Sequence, residues 1–164
     1  MNIFVLDKDP VIAAQYHCDK HVVKMITESA QMLSTVHHMC GIPDTMDANE
    51  IYLKAHVNHP CTIWARKTID NYNWLVNLGL ALCEEYTWRY ENKTHKTQKV
   101  LEYLKKHQPN ILTVGLTEFE LCMPDQFKVP GYPIISYRNF YNKDKARFAK
   151  WKHGNVPKWF KNEI

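Results

Sequence analysis

His17, His21, Lys24, Glu28 and Gln31 follow one another at intervals of three and four residues. At about 100° per residue they fall within a sector of roughly 80° on one helix. Two imidazoles, an amine, a carboxylate and an amide on one strip can move protons, attack an electrophilic carbon and hold a polar substrate. A solvated surface strip gains most support when Glu stands four residues before Lys, whereas here Lys24 precedes Glu28. Both the order and the mixture weaken the reading of a merely solvated face and bring a functional strip level with it.

Two further stretches carry chemistry. Asn58-His59-Pro60 places an amide and an imidazole at the mouth of a helix. Residues 137–164 carry a net +6, from eight Lys and Arg against Asp144 and Glu163, leaving −2 on residues 1–136. A basic end on a mildly acidic body suits a polyanion. Its interleaved aromatics, Tyr137, Phe140, Tyr141, Phe148, Trp151, Trp159 and Phe160, can stack on bases or anchor the segment to the body.

The elements that must position these residues read as helices. Asp9 and Pro10 form an N-cap and a first helical position, opening one helix from Pro10 to His38. Its inward face is Val11, Cys18, Val22, Met25, Ser29, Met32, Leu33 and Val36, and Gly41-Ile42-Pro43 stops it. Ile3–Leu6 is an extended apolar segment, and residues 50–57 are read as a short helix. A second long helix runs from Cys61 to Tyr90, with Trp64, Thr68, Asn71, Tyr72, Leu75, Leu78, Gly79, Leu82 and Tyr86 inward. Gly79 in mid-helix costs about 1 kcal/mol relative to alanine, so a neighbouring helix should approach closely there. Arg66 and Lys67 near that helix's start oppose its dipole and hint at an anion nearby. His95-Lys96 is read as solvated, Thr97–His107 as a third helix, and Ile134–Lys152 as the last. Between them residues 109–133, punctuated by proline and glycine, lie irregularly across the core on Phe119, Leu121, Met123 and Phe127.

The expected fold is therefore all-α: one compact domain over residues 1–164, of about four main helices with a long irregular segment before the last. The chain of 164 residues is 45% hydrophobic, enough for a core. It has no apolar run near the ~20 residues that span a bilayer, and its start lacks a signal-peptide pattern. Five scattered cysteines without a Cys-x-x-Cys pair point to reduced thiols and a cytoplasmic setting. His17, His21, His37, His38 and Cys40 contain ligand types for zinc but lack its usual paired motifs, so no metal and no cofactor are expected. A monomer is expected.

Walker, dinucleotide, Gly-x-Ser-x-Gly and His-Glu-x-x-His signatures are absent. A carboxylate beside cations, next to a basic platform, suits cleavage of a nucleoside N-glycosidic bond. The carboxylate supports an oxocarbenium-like transition state and a proton donor helps the base depart. An amine attacking C1′ instead makes a Schiff base and adds strand cleavage. Reaching that bond in a duplex requires an extruded nucleotide.

Asp19-Lys20-His21, Lys24, Glu28 and Gln31, then Asn58-His59-Pro60 with Trp64, the Gly79-Leu80 helix, and Arg138-Asn139 with Lys143-Asp144 form an ordered set. In that set the chain resembles the pyrimidine-dimer DNA glycosylase (endonuclease V-type) superfamily, and most nearly its short phage and bacterial relatives. The resemblance implies a compact helical fold, double-stranded DNA as partner, and N-glycosylase activity with possible AP-lyase activity. It also implies a nucleophilic amine at a processed chain start. Here residue two is Asn2 instead of a small residue, and the family's catalytic glutamate falls one position from Glu28.

On this reading Glu28 stabilises the sugar cation, His21 or His17 handles protons, and Lys24 or Lys20 contacts phosphate or serves as the amine. Asp19, Gln31, Asn58, His59, Trp64, Arg138, Asn139, Tyr141, Lys143 and Lys145 bind the substrate, a damaged or modified base in DNA. Two alternatives are a non-catalytic DNA- or RNA-binding accessory protein and an enzyme acting on a free nucleotide or small molecule.

Overall fold

The computed structural model describes residues 1–161, so Glu163, counted in the charge above, lies outside the described residues. Six α-helices and no strand are present among them: α1 (Pro10–Tyr16), α2 (Asp19–Cys40), α3 (Pro60–Ala65), α4 (Ile69–Arg89), α5 (Gln98–Lys106) and α6 (Pro133–Phe140). The all-α expectation holds. Helix α4 lies at the centre, packed by α1, α2 and α5, while α3 rests on α2 and α4.

Both expected long helices are interrupted. The Pro10–His38 helix breaks at His17 and Cys18, which take extended backbone angles. The break frees carbonyls at the end of α1, and side chains from elsewhere take them. Arg89 donates to His17 O (2.7 Å) and Gln15 O (3.0 Å), and Trp151 donates to Tyr16 O (3.1 Å). These long-range donors satisfy groups that a continuous helix would have satisfied locally. Val11, expected inward, is 45% exposed because α1 turns a different face to the core than α2 does.

The Cys61–Tyr90 helix breaks at Arg66–Thr68, where the Thr68 hydroxyl accepts the Asn71 N–H (3.0 Å) and caps α4. Arg66 and Lys67 thus close α3 instead of opening a long helix. Cations are favourable at such an end, and no nearby anion is needed to explain them. Arg66 donates to Val57 O (2.7 Å), and Lys67 pairs with Glu120 (3.0 Å).

Other expectations hold or shift locally. Asp9 caps α1 through Val11 N–H (2.8 Å), His59 caps α3, and Gly41 ends α2 at φ 95°. A Cβ on Gly79 would stand 2.9 Å from a Leu101 methyl, so α5 does approach α4 there. Residues 50–57 form no helix beyond the short turn Ala48–Glu50. Their backbone lies along α2, where Ser34 accepts Tyr52 N–H (3.1 Å) and Thr35 bonds both polar groups of Ala55. His95, expected to be solvated, is buried and accepts the Thr97 N–H (3.1 Å). The last helix ends at Phe140, passes into a π-turn at Tyr141–Lys145, and gives way to coil that docks through Trp151, Trp159 and Phe160. That turn keeps both Phe140 and Tyr141 buried, which a regular helix feeding on to Lys152 does not require.

Ile3–Leu6 is the extended apolar segment anticipated, with Val5 1% and Leu6 0% exposed. Residues 109–133 lie over the core as expected: Phe119 stacks on Trp64 (5.0 Å) and meets Trp74 (4.8 Å), and Met123 is buried.

The Arg89 guanidinium, 1% exposed, also pairs with Asp19 (3.1 Å) and Glu85 (2.9 Å). Removing one partner of a buried ion pair strands the others, at about 3–5 kcal/mol. Arg89→Ala is therefore expected to lower the unfolding free energy in urea by about that amount, and Arg89→Lys to recover little, since an ammonium cannot span the fork. Lys67→Ala, which breaks a half-exposed pair, should cost at most about 1 kcal/mol.

Candidate active site

The strip on α2 opens into a hollow of about 250 Å³. His21, Lys24 and Glu28 form one side of it. Asn2 and Phe4 come from the extended start, Met123 from the irregular segment, and Phe140 and Lys145 from the C-terminal region. The extended start reaches this place because Ile3–Leu6 is buried against the helices, and Arg138 Nε donates to Leu6 O (3.0 Å).

Glu28 is the carboxylate of the hollow, 13% exposed. Its Oε2 accepts the Asn2 N–H (3.1 Å) and stands 3.6 Å from the Met1 ammonium, while Oε1 pairs with Lys24 Nζ at 3.4 Å. Two amines therefore share one carboxylate. Lys24 is 66% exposed, whereas the Met1 side chain is 3% exposed.

His21 stacks on Phe4 at 4.3 Å, and its Nδ1 lies 2.6 Å from the Tyr141 hydroxyl. Burial, then the neighbouring His17, Lys145, Lys24 and Lys20, lower its pKa to about 2. It is neutral at physiological pH. His17 is fully buried behind it, its ring centroid 6.4 Å away, and holds Ala13 O through Nδ1 (2.7 Å). Burial lowers its pKa to about 4.

The structure separates the other sequence candidates. Lys145 lines the hollow, bound to Asp144 (2.7 Å) and laid over the Phe140 ring (4.3 Å). Lys20 lies over the Phe148 ring at 4.8 Å, and Gln31 is half-buried farther along α2. Asn58 is exposed, and His59 spends its Nδ1 on Cys61 N–H (3.1 Å). Three candidates sit inside the fold. Trp64 is 1% exposed under Phe119, Tyr141 is 0% exposed, and Asp19 is held by Arg89 and the Lys152 N–H (3.0 Å). His17 likewise lies below the hollow, outside its lining. These four serve packing and orientation.

Arg138, Asn139 and Lys143 meet elsewhere, in a groove of about 590 Å³ completed by Gln126, Trp159 and Lys161. It neighbours the hollow: Phe127 of the groove stacks on Phe140 of the hollow at 5.4 Å.

The histidine and cysteine residues near 37–40 do not converge as a metal site. His37 bonds Tyr72 (2.9 Å) and His38 bonds Tyr52 O (2.9 Å). Sequence reasoning missed the closeness of Asn2 to Glu28, the Phe4 stack and the Cys122-Met123 edge. One signal was present: an apolar run immediately after Met1-Asn2 pins those two residues at the core's margin.

Because His17 and His21 are depressed in the folded chain, the unfolded chain binds more protons below its ordinary histidine pKa. Stability is therefore full above about pH 6.5 and falls as pH drops, down to about 4 for His17 and on to about 2 for His21. The expected slope is about 1.4 kcal/mol per pH unit for each such histidine, and His21→Phe should flatten it in denaturant titrations between pH 6.5 and 4.5.

No described helix is long and apolar enough to cross a membrane. No curated protein and no solved structure matches the chain. Residues 1–99, which include the Met1, Asn2, His21, Lys24 and Glu28 side of the hollow, match the family model described as pyrimidine dimer DNA glycosylase, and the chain belongs to that family.

Proposed function

We propose that the chain removes a damaged or modified base from double-stranded DNA through a Schiff-base intermediate, with the α-amine at the chain start as nucleophile and Glu28 as its partner. One observation carries this reading: a single partly buried carboxylate holds both the Met1 ammonium and the Asn2 N–H inside a hollow. Removal of Met1 would leave the Asn2 nitrogen itself as the amine, already 3.1 Å from Glu28 Oε2.

On this reading Glu28 takes the proton that an attacking ammonium must lose. The free amine then forms a bond to C1′ as the C1′–N bond to the base breaks, and the departing base gains a proton. Glu28 then relays a proton from that nitrogen to the ring oxygen as the oxygen's bond to C1′ breaks, which gives the protonated imine. Loss of a C2′ proton and of the 3′ phosphate cuts the strand by β-elimination, and water frees the amine from the remaining aldehyde. Each time it has passed its proton on, the Glu28 carboxylate is again the anion that stabilises the cationic sugar or iminium.

Cys18 N–H points at the Tyr141 oxygen (3.4 Å), which leaves the tyrosine proton available for His21 Nδ1. Neutral His21 then carries its own proton on Nε2 and can hydrogen-bond the departing base, which takes its proton from water. The groove of Arg138, Asn139, Lys143 and Lys161 would take the phosphate backbone, and Lys20, Lys24 and Lys145 would draw it toward the hollow.

Borohydride treatment on duplex DNA bearing a pyrimidine dimer or an abasic site is expected to trap a covalent adduct that maps to the N-terminal peptide. An adduct on Lys24 would move the amine there, and base release without any adduct would remove the Schiff base. Glu28→Gln should lower single-turnover base release by about 10²- to 10⁴-fold while DNA affinity stays within about twofold. Binding without base release by the parent chain would mark a non-catalytic binder. In filter-binding titrations Lys161→Ala is expected to reduce the slope of log affinity against log salt by about 1, equally across sequences.

A further inference from the structure

Beside Asn2, at an edge of the hollow that Cys122 lines, one imidazole and two thiols converge. Ligand atoms of His59, Cys61 and Cys122 all lie within 4.8 Å of one another, and the two sulfurs are 3.4 Å apart. The three come from separate places: His59 caps α3, Cys61 is in its first turn, and Cys122 sits on the irregular segment 61 residues later.

A fourth donor is present. The Asn2 side-chain oxygen is 3.6 Å from Cys61 Sγ and accepts the Ile3 N–H at 2.8 Å, while the Tyr137 hydroxyl 3.2 Å away makes its shorter bond to Glu120 O (2.6 Å). The geometry points to a zinc-type metal site with His59, Cys61 and Cys122 as ligands and the Asn2 side-chain oxygen, or a water, in the fourth position.

The distances discriminate between a metal and a crosslink. Zinc–sulfur bonds of about 2.3 Å in a tetrahedron put two sulfurs about 3.8 Å apart, so the observed pair needs to open by only a few tenths of an ångström. A disulfide at about 2.05 Å needs the same sulfurs to close by more than about 1 Å. Two thiols in simple contact would explain neither the imidazole nor the amide oxygen beside them. Thiolate and imidazole together select zinc among the abundant divalent ions, and calcium or magnesium would need oxygen ligands.

Binding exchanges few contacts. Cys61 N–H donates to His59 Nδ1, so a metal at Nδ1 releases that bond, and a metal at Nε2 releases it by placing the proton on Nδ1. Each thiol gives up its proton on ligation. His59, Cys122 and Asn2 are all partly exposed, which leaves a path for the ion.

The consequence is positional. Cys122 O accepts from Asn2 Nδ2 at 2.7 Å, so a metal joining α3 to Cys122 would also fix residue 2 beside Glu28.

The test uses the full chain, reduced and metal-stripped, without DNA, so that it reads independently of the glycosylase chemistry. Zinc is titrated against a chromogenic chelator, and cobalt(II) is followed by absorption. About one zinc per chain is expected, with an intense thiolate-to-cobalt charge-transfer band and tetrahedral ligand-field bands. Cys122→Ser and His59→Ala, checked for folding by circular dichroism, should each weaken zinc binding at least about 10-fold. If either fails to fold, the cobalt spectrum of the parent chain decides alone. A chain that cannot compete with the chelator, a cobalt spectrum without a thiolate band, or unchanged zinc affinity in folded Cys122→Ser would each overturn the site.

Discussion

The structure depends on one buried guanidinium. Arg89 reaches back from the end of α4 to the carbonyls of Gln15 and His17, the carboxylate of Asp19 and that of Glu85. A charge in that position is stable only when every donor is used, and the planar fork of arginine can meet several acceptors at once. The partners lie across the break between α1 and α2, so satisfying the guanidinium and breaking the helix are one event. Asp19 in turn accepts Lys152 N–H, and its own N–H donates to Lys150 O at 2.8 Å, which ties the C-terminal coil to the start of α2. The direction in which α2 points, and with it the Glu28 strip, follows from this knot.

Electrostatics in the hollow follow from burial and cation crowding together. Phe4 and Tyr141 shield His21 while Lys20, Lys24 and Lys145 stand around it, and both influences oppose a proton on the ring. An imidazolium there would add to an already positive rim. A neutral ring keeps one donor and one acceptor at physiological pH, and it leaves Glu28 as the anion that pairs with the Met1 and Lys24 amines. The arrangement attracts phosphate from outside and keeps its carboxylate engaged from within.

The sequence was readable where local physics decides. Asp9-Pro10, Gly41 and His59-Pro60 mark ends because capping and φ restrictions act within a few residues. The helical spacing of His21, Lys24 and Glu28 placed them on one face because the period survives whatever they pack against. The breaks at His17–Cys18 and Arg66–Thr68 were not readable by the same means. Apolar periodicity runs through the first, and what breaks it is Arg89, more than seventy residues away. Thr68 carried its own cap signal, but its place on the apolar face of a continuous helix masked it. Trp64, Tyr141 and Asp19 show the same limit: their residue types suit binding, and only the tertiary contacts reveal that each is already occupied.

What joins the two concave regions is the extended start of the chain. Arg138 lines the groove, yet its Nε holds Leu6 O and its Nη2 lies 3.4 Å from Asp7, while its guanidinium covers the Trp159 ring at 5.2 Å. Three buried residues, Ile3, Phe4 and Val5, separate this anchor at Leu6 from Asn2, and an extended segment of that length has little freedom once Val5 and Leu6 are fully packed. The amine end is therefore held from two directions, by Arg138 behind it and by Glu28 and Cys122 O around it. A chain terminus is ordinarily the least ordered part of a domain. Here the burial of Ile3–Leu6 makes it a fixed edge of the hollow, the condition that the proposed amine nucleophile would have to meet to approach one carbon in one orientation.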